Sequence, residues 1–502
     1  MAKRYRQHRC REVRKYTQLN ARCTVSRAGG TSVPAGVFWV LVSIAYRKEA
    51  RSLVSLAIPL ALAQIVQAGM TFVDTVMVAR LGSTALAGIA LGATSYMLVT
   101  ILLQGVVFAV GPLVAQAYGG GRIEDAGRAA RQGLWLALFL ALPAVVLLLN
   151  AQTLLLAVGQ EPAAAQLAGT YLGTAAWGLV PALLLVALRG FLEGTGNTRP
   201  ILFLMIVGLV VNIVLDELLM FGRMGLPELG VAGTGWATTL VHTIMFLIAA
   251  LYVAKGHSRF AVFRRPRGPD RALLGELLRL GAPIGLTMGF EAGLFAVTAL
   301  LMGLVGQVEL AAHQIAIQSA TMTFMVAVGL AVATSIRVGQ AVGRDDPEGA
   351  RRAGIVGIAL SIAAMTLTAS LFWFAPGLVI GIFLDPQSAA NAEVTRFAAA
   401  FLAIAATFQI FDGVQVSAAG ALRGYKDTTV PMVISLVSYW LVGISSGVFL
   451  AFGLDWGGRG LWAGLVLGLG TASILLLGRF AWRSRALARS RGRIVAVLGR
   501  RP

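Results

Sequence analysis

Twelve long apolar stretches alternate with short polar connections along the chain, near 53–79, 86–116, 129–150, 167–188, 201–221, 231–254, 277–304, 311–336, 353–383, 397–420, 430–452 and 460–478. About 20 apolar residues in a helix cross the ~30 Å hydrocarbon core of a bilayer. The runs are continuously apolar and lack the strict alternation of barrel strands, so they predict twelve transmembrane helices. Basic residues then set the orientation. The even-numbered connections hold 18 Lys and Arg, and the odd-numbered ones hold only Arg80, Arg223, Arg396 and Arg459. Because Lys and Arg stay on the cytoplasmic side, both termini are predicted to be cytoplasmic.

Composition sharpens this picture. Of 502 residues, 57% are hydrophobic and 13% charged, which excludes a soluble enzyme. The excess of 42 Lys and Arg over 22 Asp and Glu gives +20, a balance that elsewhere would suggest a nucleic-acid partner. Here 12 of the bases crowd into the first 51 positions and 8 into the last 24, while the apolar runs are nearly empty of them. The charge is therefore a topology signal with two basic arms suited to anionic lipid headgroups, and no nucleic-acid partner is expected. Cys10 and Cys23 lie in the leading arm, so no disulfide framework is predicted. The apolar part of that arm, Val33 to Tyr46, is too short to span and lacks a small-residue cleavage site, which argues against a signal peptide. A basic arm, an interfacial helix and an over-extended start remain open for it.

The two halves repeat one another. At an offset of 224, Pro59 falls on Pro283, Gly82 on Gly306, Leu86 on Leu310, Gln116 on Gln340, Gly119 on Gly343, Glu124 on Glu348 and Arg128 on Arg352. At an offset of 234, Ala187-Leu188-Arg189-Gly190 falls on Ala421-Leu422-Arg423-Gly424. Six spans per half is an even number, so the repeats are parallel, a common transporter design. The predicted organisation is a basic N-terminal segment 1–50, an N-lobe 51–258, a linker 259–274, a C-lobe 275–482 and a basic tail 483–502.

A charge at the bilayer centre costs about 3 kcal/mol or more and marks function. Three acids lie well inside spans, Asp74, Glu291 and Asp412, and Asp216 with Glu217 sits toward the outer end of the fifth. Gln64, Gln67, Thr71 and Asp74 form one helical stripe, as do Thr287, Glu291 and Thr298. Gln409, Asp412 and Gln415 make a wider polar face, and Gln314, Gln318 and Thr321 another stripe. Such faces must meet protein or water, and Gln64, Gln67, Thr71, Thr287, Gln314, Gln318, Gln409 and Gln415 are read as lining the substrate cavity, with helix-to-helix bonding as the alternative. Asn212 and Asp216 are four apart and share a face. A pair such as Asp74 and Asp216, with amide and hydroxyl oxygens nearby, suits Na⁺ and equally a proton. His242 and His313 read as bonded core residues. No Lys or Arg is read at mid-span, and no nucleophile, metal-spaced cluster or nucleotide-binding loop appears, so transport is expected to draw on an ion gradient without a bound cofactor.

Over residues 51–480 the chain resembles the MATE (multidrug and toxic compound extrusion) family. The resemblance is carried by Leu56-Ala57-Ile58-Pro59, Val73-Asp74-Thr75, Ala115-Gln116 with Gly119, Ala311-Ala312-His313-Gln314-Ile315 and Gly420-Ala421-Leu422-Arg423-Gly424. Glu291 and Asp412 match acids of the NorM branch. Asp74, Asn212, Asp216 and Thr238 resemble the N-lobe cation site of the DinF branch, although many NorM-type proteins have Asn where Asp216 stands. The resemblance implies a V-shaped pair of six-helix bundles in the bacterial inner membrane, working as a monomer. It implies export of drug-like, mostly cationic amphiphiles in exchange for Na⁺ or H⁺, with cation sites at Asp74, Asn212, Asp216 and Thr238 or at Glu291 and Asp412. The competing expectation is a lipid-linked oligosaccharide flippase of the same superfamily, which would line its cavity with Arg and Lys.

Overall fold

The computed structural model describes residues 35–80, 83–225, 227–263 and 268–498, with side chains described outside 35–42, 83–87 and 490–498. Cys10, Cys23 and residues 1–34 of the basic leader lie outside the described residues. Among those described, every regular element is helical, and twelve helices are long and apolar enough to cross a membrane. We number them α1 (Ser43–Ala79), α2 (Gly88–Gly119), α3 (Ile123–Leu149), α4 (Pro162–Gly194), α5 (Arg199–Met220), α6 (Gly230–Gly256), α7 (Arg271–Val305), α8 (Gln307–Gly343), α9 (Pro347–Phe374), α10 (Ala389–Gly424), α11 (Thr429–Gly453) and α12 (Gly458–Arg489).

Several helices outrun the apolar runs that predict them, because the backbone ladder continues past the last apolar residue until a cap ends it. The Asp270 carboxylate accepts from the amides of Ala272 and Leu273 and starts α7 six residues ahead of its apolar run. Asp346 caps α9 in the same way through the Gly349 amide. The ninth span is shorter than the predicted 353–383. It stops at Phe374, because Pro376 lacks an amide hydrogen and instead opens a separate short helix, Pro376–Ile380.

The repeat is visible in the turns. After α2, Gly121 has φ +73° and the Arg122 amide donates to the Ala117 carbonyl; after α8, Asp345 has φ +59° and the Asp346 amide donates to Ala341. Both pairs keep the offset of 224. At the other end the structure corrects the 234 offset to 230. After α4, Gly196 has φ +80° and Asn197 donates to Leu192, and after α10, Lys426 has φ +58° and Asp427 donates to Leu422. Gly194 thus takes the place of Gly424, and Glu193 that of Arg423. The two registers differ by about one helical turn, which keeps the same face in view.

Repeat-related contacts join the halves. The Gln116 side-chain amide donates to the Gly424 carbonyl at 2.9 Å, and that of Gln340 to the Gly194 carbonyl at 3.1 Å. Gly119 lies against the Gln340 backbone and Gly343 against that of Gln116. Further along the bundle Gly105 meets Gly285, and its repeat partner Gly329 meets Ala61. Helix axes come this close only where side chains are absent or small.

The connection between α6 and α7 is docked on the N-terminal half. Phe260, 1% exposed, packs edge-on to Phe191 at 5.0 Å, and its carbonyl lies against Gly127. Arg131 donates to the Ala261 carbonyl at 2.6 Å, the Asp270 amide donates to Gln132 at 2.9 Å, and Arg128 pairs with Asp270 at 3.0 Å. Arg264 to Arg267 of this predicted linker lie outside the described residues, and its last predicted residues, 271–274, already belong to α7.

Hydrogen bonds from the Leu273 amide and then from Arg128 hold the Asp270 carboxyl below its ordinary value of 3.8. A depressed carboxyl contributes stability above its unfolded-state value and loses it as pH falls through the folded-state value. Thermal unfolding between pH 6 and pH 3 should therefore show a stability loss below about pH 4 that is smaller in Asp270→Asn than in the wild type. Parallel pH profiles for the two proteins would refute this linkage.

Candidate cation and substrate sites

In the N-lobe, α1 carries Asp74, half-buried, opposite two buried residues of α5, Asn212 at 2% and Asp216 at 1% exposure. The Asn212 side-chain amide donates to Asp74 Oδ1 at 2.8 Å and to Asp216 Oδ2 at 3.2 Å. One amide nitrogen thus bridges the two carboxyl groups. With the nitrogen of Asn212 turned to the acids, Asn212 Oδ1 and Asp216 Oδ1 are left buried without a partner. Thr238 donates to the Thr234 carbonyl of its own helix at 3.0 Å, and Tyr171, buried on α4, lies in the electrostatic neighbourhood of both carboxyls.

The rest of the α1 stripe is otherwise engaged. Gln64 Oε1 accepts from Arg189 Nη2 at 2.9 Å and Gln67 Oε1 from Arg189 Nη1 at 3.1 Å, while Thr71 is exposed. Arg189, read from sequence as a connection residue, lies inside α4 at 9% exposure, with Glu193 3.9 Å from its Nε. A guanidinium is tolerated there because its planar fork meets two amide oxygens and a carboxylate. Arg189 is thus a buried residue of the last turns of α4 and not part of the connection.

In the C-lobe, Asp412 is 3% exposed on α10 and accepts from Gln415 at 3.1 Å, and Gln415 in turn accepts from the Tyr439 hydroxyl at 2.8 Å. Gln409 accepts from Thr323 at 2.8 Å, leaving its Nε2 unpartnered. Glu291 on α7 is half-buried and within electrostatic reach of Asp412, Tyr439 and Arg423. Arg423, like Arg189, belongs to a helix, the last turn of α10. Thr287 and Thr298 donate to carbonyls of their own helix at 2.8 Å, and Gln314 and Gln318 are exposed on α8. His313 is buried against Trp462, but its Nδ1, like that of His242, is buried without a hydrogen-bond partner, so the expectation of bonded core histidines is corrected at that atom in both. The structure therefore gathers Asp74 with Asn212 and Asp216, and Asp412 with Gln415 and, electrostatically, Glu291. Tyr171, Tyr439 and Arg189 were missed, and the signal for each was a polar atom on an otherwise apolar run.

At the end of the bundle away from the basic connections, Glu217 meets Arg80 at 3.2 Å and Arg223 at 3.1 Å.

The MatE family model matches residues 59–218 and again 283–449. The chain is 43% identical over 441 residues to the probable multidrug resistance protein NorM of Pseudomonas aeruginosa, covering 88% of this chain and 90% of that protein. It is 40% identical to the protein of the same name from Mesorhizobium japonicum, covering 88% and 95%. Among solved structures it is similar in fold to the eukaryotic MATE transporter AtDTX14, with a TM-score of 0.76 and 22% identity over 89% of this chain and 99% of that one. An outward-facing multidrug resistance MATE transporter of the MOP superfamily gives 0.79 and 22% identity, covering 88% and 97%.

Proposed function

The chain belongs to the MatE family, in its NorM-type branch, and from that premise we propose that it is a cation-coupled multidrug exporter of the bacterial inner membrane, with both termini cytoplasmic. Its relatives are named multidrug resistance proteins, and its twelve apolar helices suit a multi-pass protein. The reading adds that organic, mostly cationic amphiphiles leave in exchange for Na⁺ or H⁺, in a protein that works as a monomer.

The observation that carries it is the Asp74, Asn212 and Asp216 triad with its two unpartnered buried oxygens. Two carboxyls held to one amide nitrogen within an apolar bundle cannot both stay charged without a proton or a cation between them. Na⁺ would take oxygens of Asp74, Asp216 and Asn212, the last after its amide turns over, with Thr238 and Tyr171 alongside. Glu291 and Asp412 supply a second acidic patch in the C-lobe, for a further cation or for the positive end of a substrate. Loading such a site neutralises it, so ion and organic cation favour opposite states of one cycle, which is antiport. Arg189, bound to Gln64, Gln67 and Glu193, is not free to hold the pyrophosphate that a lipid-linked oligosaccharide flippase would need.

Everted vesicles containing the protein should accumulate a cationic dye when a Na⁺ or a proton gradient is imposed. Accumulation that depends on neither gradient would reject the antiporter assignment.

A further inference from the structure

Four basic residues stand on the connections of the predicted outer side, and two of them, Arg80 and Arg223, converge on one carboxylate, Glu217. Glu217 directly follows Asp216 on α5, and Arg80 directly follows the end of α1, six residues beyond Asp74. The Arg80 and Arg223 side chains are 57% and 66% exposed and that of Glu217 is 27% exposed. Pairs this exposed add little to stability, so their placement needs another account. Two guanidiniums and one carboxylate leave a net charge of +1 beside the outer end of the acid triad.

We propose that Arg80, Glu217 and Arg223 form a charged collar that sets how readily an external cation reaches Asp74 and Asp216. The idea rests on the reading of that triad as a cation site. A positive collar lowers the local concentration of inorganic cations at the mouth, so the site loads only when the external cation is abundant. It also disfavours return of an exported organic cation along the same route. Glu217 moderates the repulsion by offsetting one of the two guanidiniums and holding both of them to one side. Arg80 and Arg223 are thereby specificity-determining residues for the outer entry, without touching the bound ion.

The collar makes a prediction of sign that a merely structural clasp does not. Removing the two guanidiniums, Arg80→Gln with Arg223→Gln, turns the collar from +1 to −1, and the external Na⁺ concentration or proton concentration giving half-maximal efflux should fall about two- to tenfold. Removing the carboxylate, Glu217→Gln, leaves +2, and the same quantity should rise by a similar factor. Both shifts should shrink toward none in about 1 M N-methylglucamine chloride, where the Debye length is about 3 Å. The measurement is dye efflux from proteoliposomes, titrated with external Na⁺ at fixed pH and with external pH at fixed Na⁺, alongside Asp74→Asn. Shifts of the same direction in both variants, or shifts unaltered by salt, would overturn the collar. If Asp74→Asn keeps the wild-type cation dependence, the triad reading itself has failed; if Asp74→Asn loses it and the collar variants do not move, only the collar has failed.

Discussion

Replacing Asp74 with Asn is expected to lower cation-driven efflux by about 100-fold or more, while the protein stays folded in the membrane. The geometry separates the two outcomes. The side chain of Asn212 donates to Asp74 Oδ1 at 2.8 Å, and an amide oxygen at position 74 accepts that bond nearly as well as a carboxylate does. Packing and helix pairing are therefore kept. What is lost is the charge: an amide can neither take up a proton nor offer a full negative charge to Na⁺. Even at an effective dielectric constant of about 20, a unit charge about 4 Å away is worth about 4 kcal/mol, and each 1.4 kcal/mol is a factor of ten. Asp216 remains, but one carboxylate has no like charge facing it to force the binding of a counter-cation. The check is gradient-driven dye transport in proteoliposomes, with folding followed by thermal unfolding in detergent. Wild-type transport from the variant would remove Asp74 from the coupling site.

The parts of this protein legible in the sequence are those that the bilayer dictates. Hydrocarbon admits only closed backbone hydrogen bonding, so twelve apolar runs could only become twelve helices, and acids inside them stood out against their surroundings. The i, i+4 spacing of Asn212 and Asp216 put both on one face, where they are found. Three things were hidden. Arg189 was read with the connections because it lies near a span end, yet α4 continues through it to Gly194 and buries it against Gln64 and Gln67. Those two glutamines read as lining of a cavity, and nothing in their spacing reveals a partner 122 or more positions away. The register of the second half slipped by one turn, because Arg-Gly at 189–190 and Arg-Gly at 423–424 look alike in sequence, whereas the positive φ at Gly196 and Lys426 is a property of the folded turn alone. Tyr171 and Tyr439 carry a single polar atom each on a large apolar ring, and hydropathy counts the ring.

Valine at Gly119 or at Gly343 is expected to cut efflux about tenfold or more without removing any group from either acid site. A side chain on Gly119 would run into the backbone of Gln340, and one on Gly343 into the backbone of Gln116. Backbone cannot swing aside as the end of a flexible side chain can, so the contact between halves at the end carrying the basic loops must open. Overpacking of this kind costs about 1–3 kcal/mol, and that cost falls only on the state in which these ends touch. The bonds from Gln116 to Gly424 and from Gln340 to Gly194 lie in the same contact and would be lost with it. Alternating access needs both states populated, so shifting their ratio by a factor of about 5–150 starves the cycle of one of them. Spin labels at Glu124 and Glu348, exposed positions related by the 224 offset, would report the shift as a longer distance. The only native cysteines, Cys10 and Cys23, can first be replaced by serine. Because the two glycines are related by the internal repeat, the two variants should behave alike, and this equivalence is the sharper part of the expectation. A wild-type distance distribution with wild-type efflux in both would show that this contact is not one the transport cycle opens and closes. A defect confined to one glycine would show instead that the halves move differently despite their shared turns.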